Sequence, residues 1–186
     1  MKTILVIAEH DNQQIKLATH HVITAANEVG EQVDLFMIGY NCQRAVEQAQ
    51  HIQGVNKVWV ANHEVYQHQL AENCAQLIST LAQKYHYVMM PATTFGKNIL
   101  PRIAALLNVA MLSDVMQIIS DNTFIRPIYA GNALATVQID EPIKLMTIRT
   151  TTFAAAREVA EQQVEVETIA EVIPNTLATF KEQTLT

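Results

Sequence analysis

Thr93-Thr94-Phe95-Gly96-Lys97 puts two hydroxyls, a glycine and a lysine directly behind the apolar run Tyr87–Met90. If that run is a strand and a helix follows from about Lys97 to Leu107, free backbone amides converge there. Together with Thr93, Thr94, Gly96 and Lys97 they make a candidate anion site, because a helix start carries unpaired N–H groups and a positive dipole end. Capping by Thr94 or Asn98 explains the same residues without any ligand and is the simpler reading. Pro101 divides two versions of this helix. A start at Thr94 buries the proline in the helix, removes one backbone bond and kinks it, whereas a start at Asn98 leaves it harmlessly in the first turn.

No other constellation reads as an active site. The five glycines, Gly30, Gly39, Gly54, Gly96 and Gly131, never fall in a GxGxxG or GxxxxGK spacing. The turn after the first apolar run, Ala8-Glu9-His10-Asp11, sets acids where a phosphate cradle needs glycine and bare amides, which argues against a dinucleotide there. Seven histidines invite a metal. His20 and His21 are adjacent, so on a helix they diverge by about 100°. His63 and His68 miss the i, i+4 spacing of a helical pair, and Cys42 and Cys74 have no CxxC partner. No metal site is expected, and the histidines read as surface residues. A GxSxG elbow is missing, Ser113-Asp114 reads as a turn or cap, and Glu158, Glu161, Glu165 and Glu167 read as a solvated face.

The elements around these residues divide the chain in two. Thr3–Ala8 is a continuous β-branched and apolar run, the pattern of a strand buried on both faces. Asp11 with Gln14 has capping-box spacing, Ile15, Ala18, Val22, Ala25 and Val29 make one helical stripe, and Gly30 supplies the stop. Strands at Val33–Ile38, Lys57–Val60 and Tyr87–Met90 alternate with helices at Ala45–His51, Val65–Lys84 and Lys97–Leu107. Strands joined through helices cannot form hairpins, so this half predicts a parallel sheet with helices on both faces. Further on, Val115–Ile119, Thr123–Ala130, Leu134–Ile139 and Lys144–Ile148 are joined by short turns and should extend that sheet with antiparallel strands. Pro127 calls for an edge or bulged position. Val164–Ile173 fits a strand or a short helix, and Asn175–Thr186 is polar, a linker or partner-docking tail.

Composition narrows the class. A chain of 186 residues with 49% hydrophobic and 16% charged residues makes one folded domain with a full core. A net charge of -6 with no basic stripe excludes a nucleic-acid partner. Two cysteines are too few for a disulfide framework and fit a reducing compartment. Ile4–Ala8 is too short for a signal peptide, and no run approaches the ~20 apolar residues of a membrane helix. A bacterial cytoplasmic protein without membrane insertion is expected.

Several strings resemble the amino-terminal domain of the electron transfer flavoprotein alpha subunit. They are ILVIAEHDN at Ile4–Asn12, LAEN at Leu70–Asn73, FGKNILPR at Phe95–Arg102, SDV at Ser113–Val115 and IYAGNAL at Ile128–Leu134. Thr150-Thr151-Thr152-Phe153 after Arg149 departs from the family, where a glycine usually follows that arginine. The resemblance implies a three-layer α/β/α fold, adenine-nucleotide-hydrolase-like (Rossmann-like), with a mostly parallel sheet. It implies a domain over residues 1–173 and a linker over 174–186 leading toward an absent FAD domain. By the same resemblance, the whole subunit pairs with a beta subunit, takes electrons from acyl-CoA dehydrogenases of fatty acid β-oxidation, and passes them to a quinone oxidoreductase. FAD would belong to the full-length subunit, with none held by residues 1–186 alone, and no enzymatic activity is expected of this domain. Arg126, Tyr129, Asn132 and Arg149 are the interface candidates, being polar or aromatic residues on or beside the antiparallel strands. An equally good reading is that they only cover the sheet edge. Without its partner the domain is open to self-association. The alternative is a free-standing adenine-nucleotide-binding module like the universal stress proteins.

Overall fold

The structure, a computed structural model, describes residues 1–184; Leu185 and Thr186, the end of the segment read as a linker, lie outside the described residues. Strands and helices alternate through β1 (Thr3–Ile7), α1 (Leu17–Val29), β2 (Gln32–Gly39), α2 (Gln43–Gln50), β3 (Lys57–Asn62), α3 (Ala71–Ala82), β4 (Tyr87–Pro91) and α4 (Thr94–Leu107). After them come β5 (Met111–Val115), β6 (Gln117–Ile118), β7 (Thr123–Ile128), β8 (Ala133–Gln138), β9 (Lys144–Ile148) and β10 (Glu165–Thr168). Seven strands form one parallel sheet in the order β10-β3-β2-β1-β4-β9-β5, and β6-β7-β8 form a small antiparallel sheet.

The α/β/α class with a mostly parallel sheet is as the sequence predicts. The antiparallel strands, however, make a sheet of their own, and Lys144–Ile148 joins the parallel one. Burial gives the reason. Leu145 to Ile148 are all buried, as a strand covered on both faces must be, while β8 alternates half-buried and exposed residues. Alternation along β1 divides the core. Ile4 and Val6 pack with α1, α2 and Phe124 of β7 on one face, and Leu5 and Ile7 pack with α3 and α4 on the other. Pro127 sits in the middle strand of its sheet, but beyond the reach of β6, which pairs only with Phe124 and Ile125.

Two helix starts differ from expectation. Asp11 does not cap α1; its Oδ1 accepts from the Gln13 and Gln14 amides at 3.0 and 2.8 Å and closes a separate turn, so the helix begins at Leu17. The expected long helix from Val65 is broken. A single 3-10 turn at Glu64–Tyr66 is followed by Gln69 with φ 48°, and α3 then begins at Ala71. The undecided Val164–Ile173 segment yields the edge strand β10, parallel to β3.

Between β9 and β10 the chain crosses the α1–α2 face, and histidines hold it down. His21 Nδ1 bonds to the Phe153 carbonyl at 2.6 Å, His20 Nδ1 to the Ala156 carbonyl at 2.9 Å, and His51 Nδ1 to the Gln162 carbonyl. These are not surface histidines, and His10 and His20 are themselves buried. The polar tail also lies on the domain. Asn175 Nδ2 donates to the Glu72 carbonyl at 3.3 Å, and the rings of Phe180 and His68 stack 3.7 Å apart. No helix among the described residues is long and apolar enough to cross a membrane.

Candidate functional site

The crevice of an open α/β sheet lies where the strand order reverses, here between β1 and β4, outside their carboxyl ends. Glu9 follows β1 and Thr93 follows β4. The Thr93 hydroxyl donates to Glu9 Oε2 at 2.7 Å and accepts the Gly96 amide at 3.5 Å, so Thr93, rather than Thr94 or Asn98, caps α4. Glu9 is fixed in turn by Thr19, whose Oγ1 accepts the Glu9 amide at 2.9 Å and donates to the Glu9 carbonyl at 3.2 Å.

The four residues of the anion candidate are therefore not gathered on one point. Thr93 is occupied by Glu9, the exposed Thr94 and Lys97 face solvent, and Gly96 serves packing. A Cβ on Gly96 would stand 2.0 Å from the Pro91 carbonyl oxygen, so only glycine lets α4 lie this close to the end of β4. The carboxylate at the mouth of the crevice would repel the phosphates of a nucleotide or of FAD. With no glycine loop beside it, the residues present do not fit such a group. Because α4 begins at Thr94, Pro101 lies inside it and offers no N–H to the Lys97 carbonyl.

Beside the crevice is an open cleft of about 550 Å³, lined among others by His10, Asn12, Lys16, Gln69, Phe95 and Gln183 of the tail. His10 Nδ1 accepts the Asn12 amide at 3.0 Å, and burial lowers the pKa of the ring to about 4. The imidazole is thus neutral and structural at physiological pH. Burial raises both thiols as well, Cys74 to about 12, so neither cysteine is a reactive thiolate. Among the described residues no three His, Cys, Asp or Glu side chains converge as a metal needs.

The interface candidates fall into two pairs. Arg126 and Arg149 meet at a bulge in β5, where the register with β9 shifts between Leu112 and Val115 and Asp114 takes φ 61°. Arg126 Nε donates to the Ser113 carbonyl at 2.8 Å and its Nη2 to the Ser113 hydroxyl at 2.7 Å. Arg149 grips both oxygens of Asp114, at 3.2 and 2.6 Å, while the Asp114 amide donates to Thr147 Oγ1 at 2.8 Å. Ser113-Asp114 is thus a clamped bulge, which the sequence signals only as a serine–acid pair. Tyr129 and Asn132 belong to the β7–β8 turn instead. There Tyr129 and Ala130 hold left-handed φ values of 49° and 54°, and Tyr129 is 79% exposed.

Next to that turn, β8 pairs with β7 alone among the described residues. The Met116 amide donates to the Ile125 carbonyl at 2.9 Å, so the backbone polar groups of Ile125 point to the β6 side. Thr136, directly opposite Ile125, must then turn its own N–H and C=O outward, and so must Leu134 and Gln138 two residues away on either side. Leu134 is 61% exposed. The result is a strand edge with free ladder groups, an exposed leucine and an exposed tyrosine at its end.

Comparison with known proteins adds to this geometry. The electron transfer flavoprotein domain model matches residues 4–173. The chain is 47% identical over 163 residues to the electron transfer flavoprotein subunit alpha of Pseudomonas aeruginosa, covering 87% of this chain and 53% of the relative. It is 44% identical over 156 residues to the same subunit of Paracoccus denitrificans, covering 83% of this chain and 50% of the relative. Against the mitochondrial alpha subunit of Arabidopsis thaliana the identity is 37% over 176 residues, covering 90% of this chain and 48% of the relative. The chain spans about half the length of the curated relatives it matches.

Proposed function

The chain belongs to the electron transfer flavoprotein family, and from that premise we propose that it is the scaffold and subunit-interface domain of an alpha subunit, with a beta subunit as its partner. The observation that carries this reading is the pairing of a closed crevice with an open edge. Glu9 and Thr93 occupy the place where a related fold would take a nucleotide. The free side of β8 and the Tyr129–Asn132 turn offer backbone and apolar groups that another chain can cover. In this reading Tyr129 and Asn132 touch the partner, and Arg126 and Arg149 hold the bulge behind them. Residues 1–173 form the domain and 174–186 the linker toward the segment that binds FAD in the whole subunit.

The whole subunit, acting in the bacterial cytoplasm, then carries electrons from acyl-CoA-type dehydrogenases to a quinone oxidoreductase, and this domain does no chemistry of its own. The Glu9 carboxylate weighs against the alternative of a free-standing adenine-nucleotide module. The test uses Thr136→Pro, which removes an N–H that β7 does not use but blocks strand addition. The variant should fold and should lose binding to a beta subunit. Unchanged binding would remove β8 from the interface, and stoichiometric FAD or ATP uptake by the 186-residue chain would overturn the scaffold reading.

A further inference from the structure

Asp34 is an acid inside an apolar strand, 3% exposed in β2. Its Oδ2 accepts the Tyr85 hydroxyl at 2.6 Å, and its Oδ1 accepts the Asn56 side-chain amide at 3.3 Å. The Tyr85 oxygen in turn accepts the indole N–H of Trp59 at 2.8 Å. Trp59 is the only tryptophan of the chain. It stands half-buried on β3 with the ammonium groups of Lys57 and Lys84 5.0 and 5.8 Å from its ring. A niche of about 100 Å³ bounded by Trp59, Leu81, Lys84 and Ile169 opens beside the indole.

This row of indole, phenol and buried carboxylate has a chemical direction. Burial, and then the bond to Asp34, hold the Tyr85 phenol well above its ordinary pKa, so it is a firm proton donor at rest. Removal of an electron reverses this, since an oxidised phenol is a strong acid and a carboxylate oxygen already sits at hydrogen-bond distance. The indole has no comparable outlet, because its N–H faces a phenol oxygen. Two nearby ammonium groups also disfavour positive charge on its ring.

We propose that Trp59, Tyr85 and Asp34 form a redox-active relay, in which an oxidising equivalent that enters at Trp59 comes to rest on Tyr85. The oxidant is a small one-electron oxidant of the radical class. Trp59 gives it one electron and becomes a radical cation. Tyr85 returns one electron to Trp59 and passes its phenolic proton to Asp34. The products are the reduced oxidant, neutral Trp59, a neutral tyrosyl radical and protonated Asp34. The relay does not rest on the flavoprotein reading.

Pulse radiolysis with azidyl radical tests it on the 186-residue chain. The tryptophanyl absorption should appear first and give way to tyrosyl absorption at a rate independent of protein concentration. In Tyr85→Phe, which keeps the packed ring, that transfer should slow by at least about tenfold. Equal tyrosyl yield and rate in Tyr85→Phe, with another of the five tyrosines as the sink, would overturn the assignment. The wild-type transfer should also slow in D2O, because a proton moves with the electron. A rate indifferent to deuterium would remove Asp34 as the acceptor.

Discussion

At the scale of single residues, the ends of β1 and β4 are set by a few buried or half-buried polar groups, Glu9, His10 and Thr93. His10 gives this a pH signature. The unfolded side chain takes up a proton near its ordinary pKa of 6.5, and the folded one only near 4. Between those values the unfolded state binds more protons, so stability must fall as pH drops through the window, by up to about 3 kcal/mol. Urea unfolding at steps from pH 7 to pH 4 should show that slope, and His10→Gln should flatten it whatever it does to stability at neutral pH. Gly96→Ala should destabilise by about 1–3 kcal/mol, because the new methyl meets backbone of β4 rather than a movable side chain. Arg149→Lys keeps the charge but not the two-pronged grip on Asp114, and its expected loss is about 1 kcal/mol, as the pair is partly exposed. A midpoint unchanged from wild type would show that the bulge holds itself.

At the scale of elements, α4 carries a proline in its interior. Pro101 is exposed and leaves the Lys97 carbonyl without its helical partner. Pro101→Ala should raise stability by about 1 kcal/mol, a gain read as a higher melting temperature. Elements with long periodic stripes were legible in the sequence, and so was the parallel character of the first half. Most of what escaped depended on contacts distant in the chain, with Asp11 as a local exception. Asp11 carries a cap signature, yet its amide partners, Gln13 and Gln14, close a separate turn before the helix starts at Leu17. Lys144–Ile148 reads locally like its antiparallel neighbours, and only burial on both faces places it between β4 and β5. At the candidate site, Thr93 to Lys97 marked the right helix start, but the partner that closes it, Glu9, lies 84 residues away. The histidines read as surface residues because their carbonyl partners on the crossover are more than 100 residues distant.

At the scale of the whole molecule, the proposed scaffold role rests on a crevice occupied by Glu9 and on the edge of β8, which is unpaired among the described residues. The most direct test is sedimentation equilibrium of the 186-residue chain mixed with an electron transfer flavoprotein beta subunit. The account predicts a one-to-one heterodimer that Thr136→Pro abolishes. Two species that sediment independently at concentrations where the subunits are folded would contradict it.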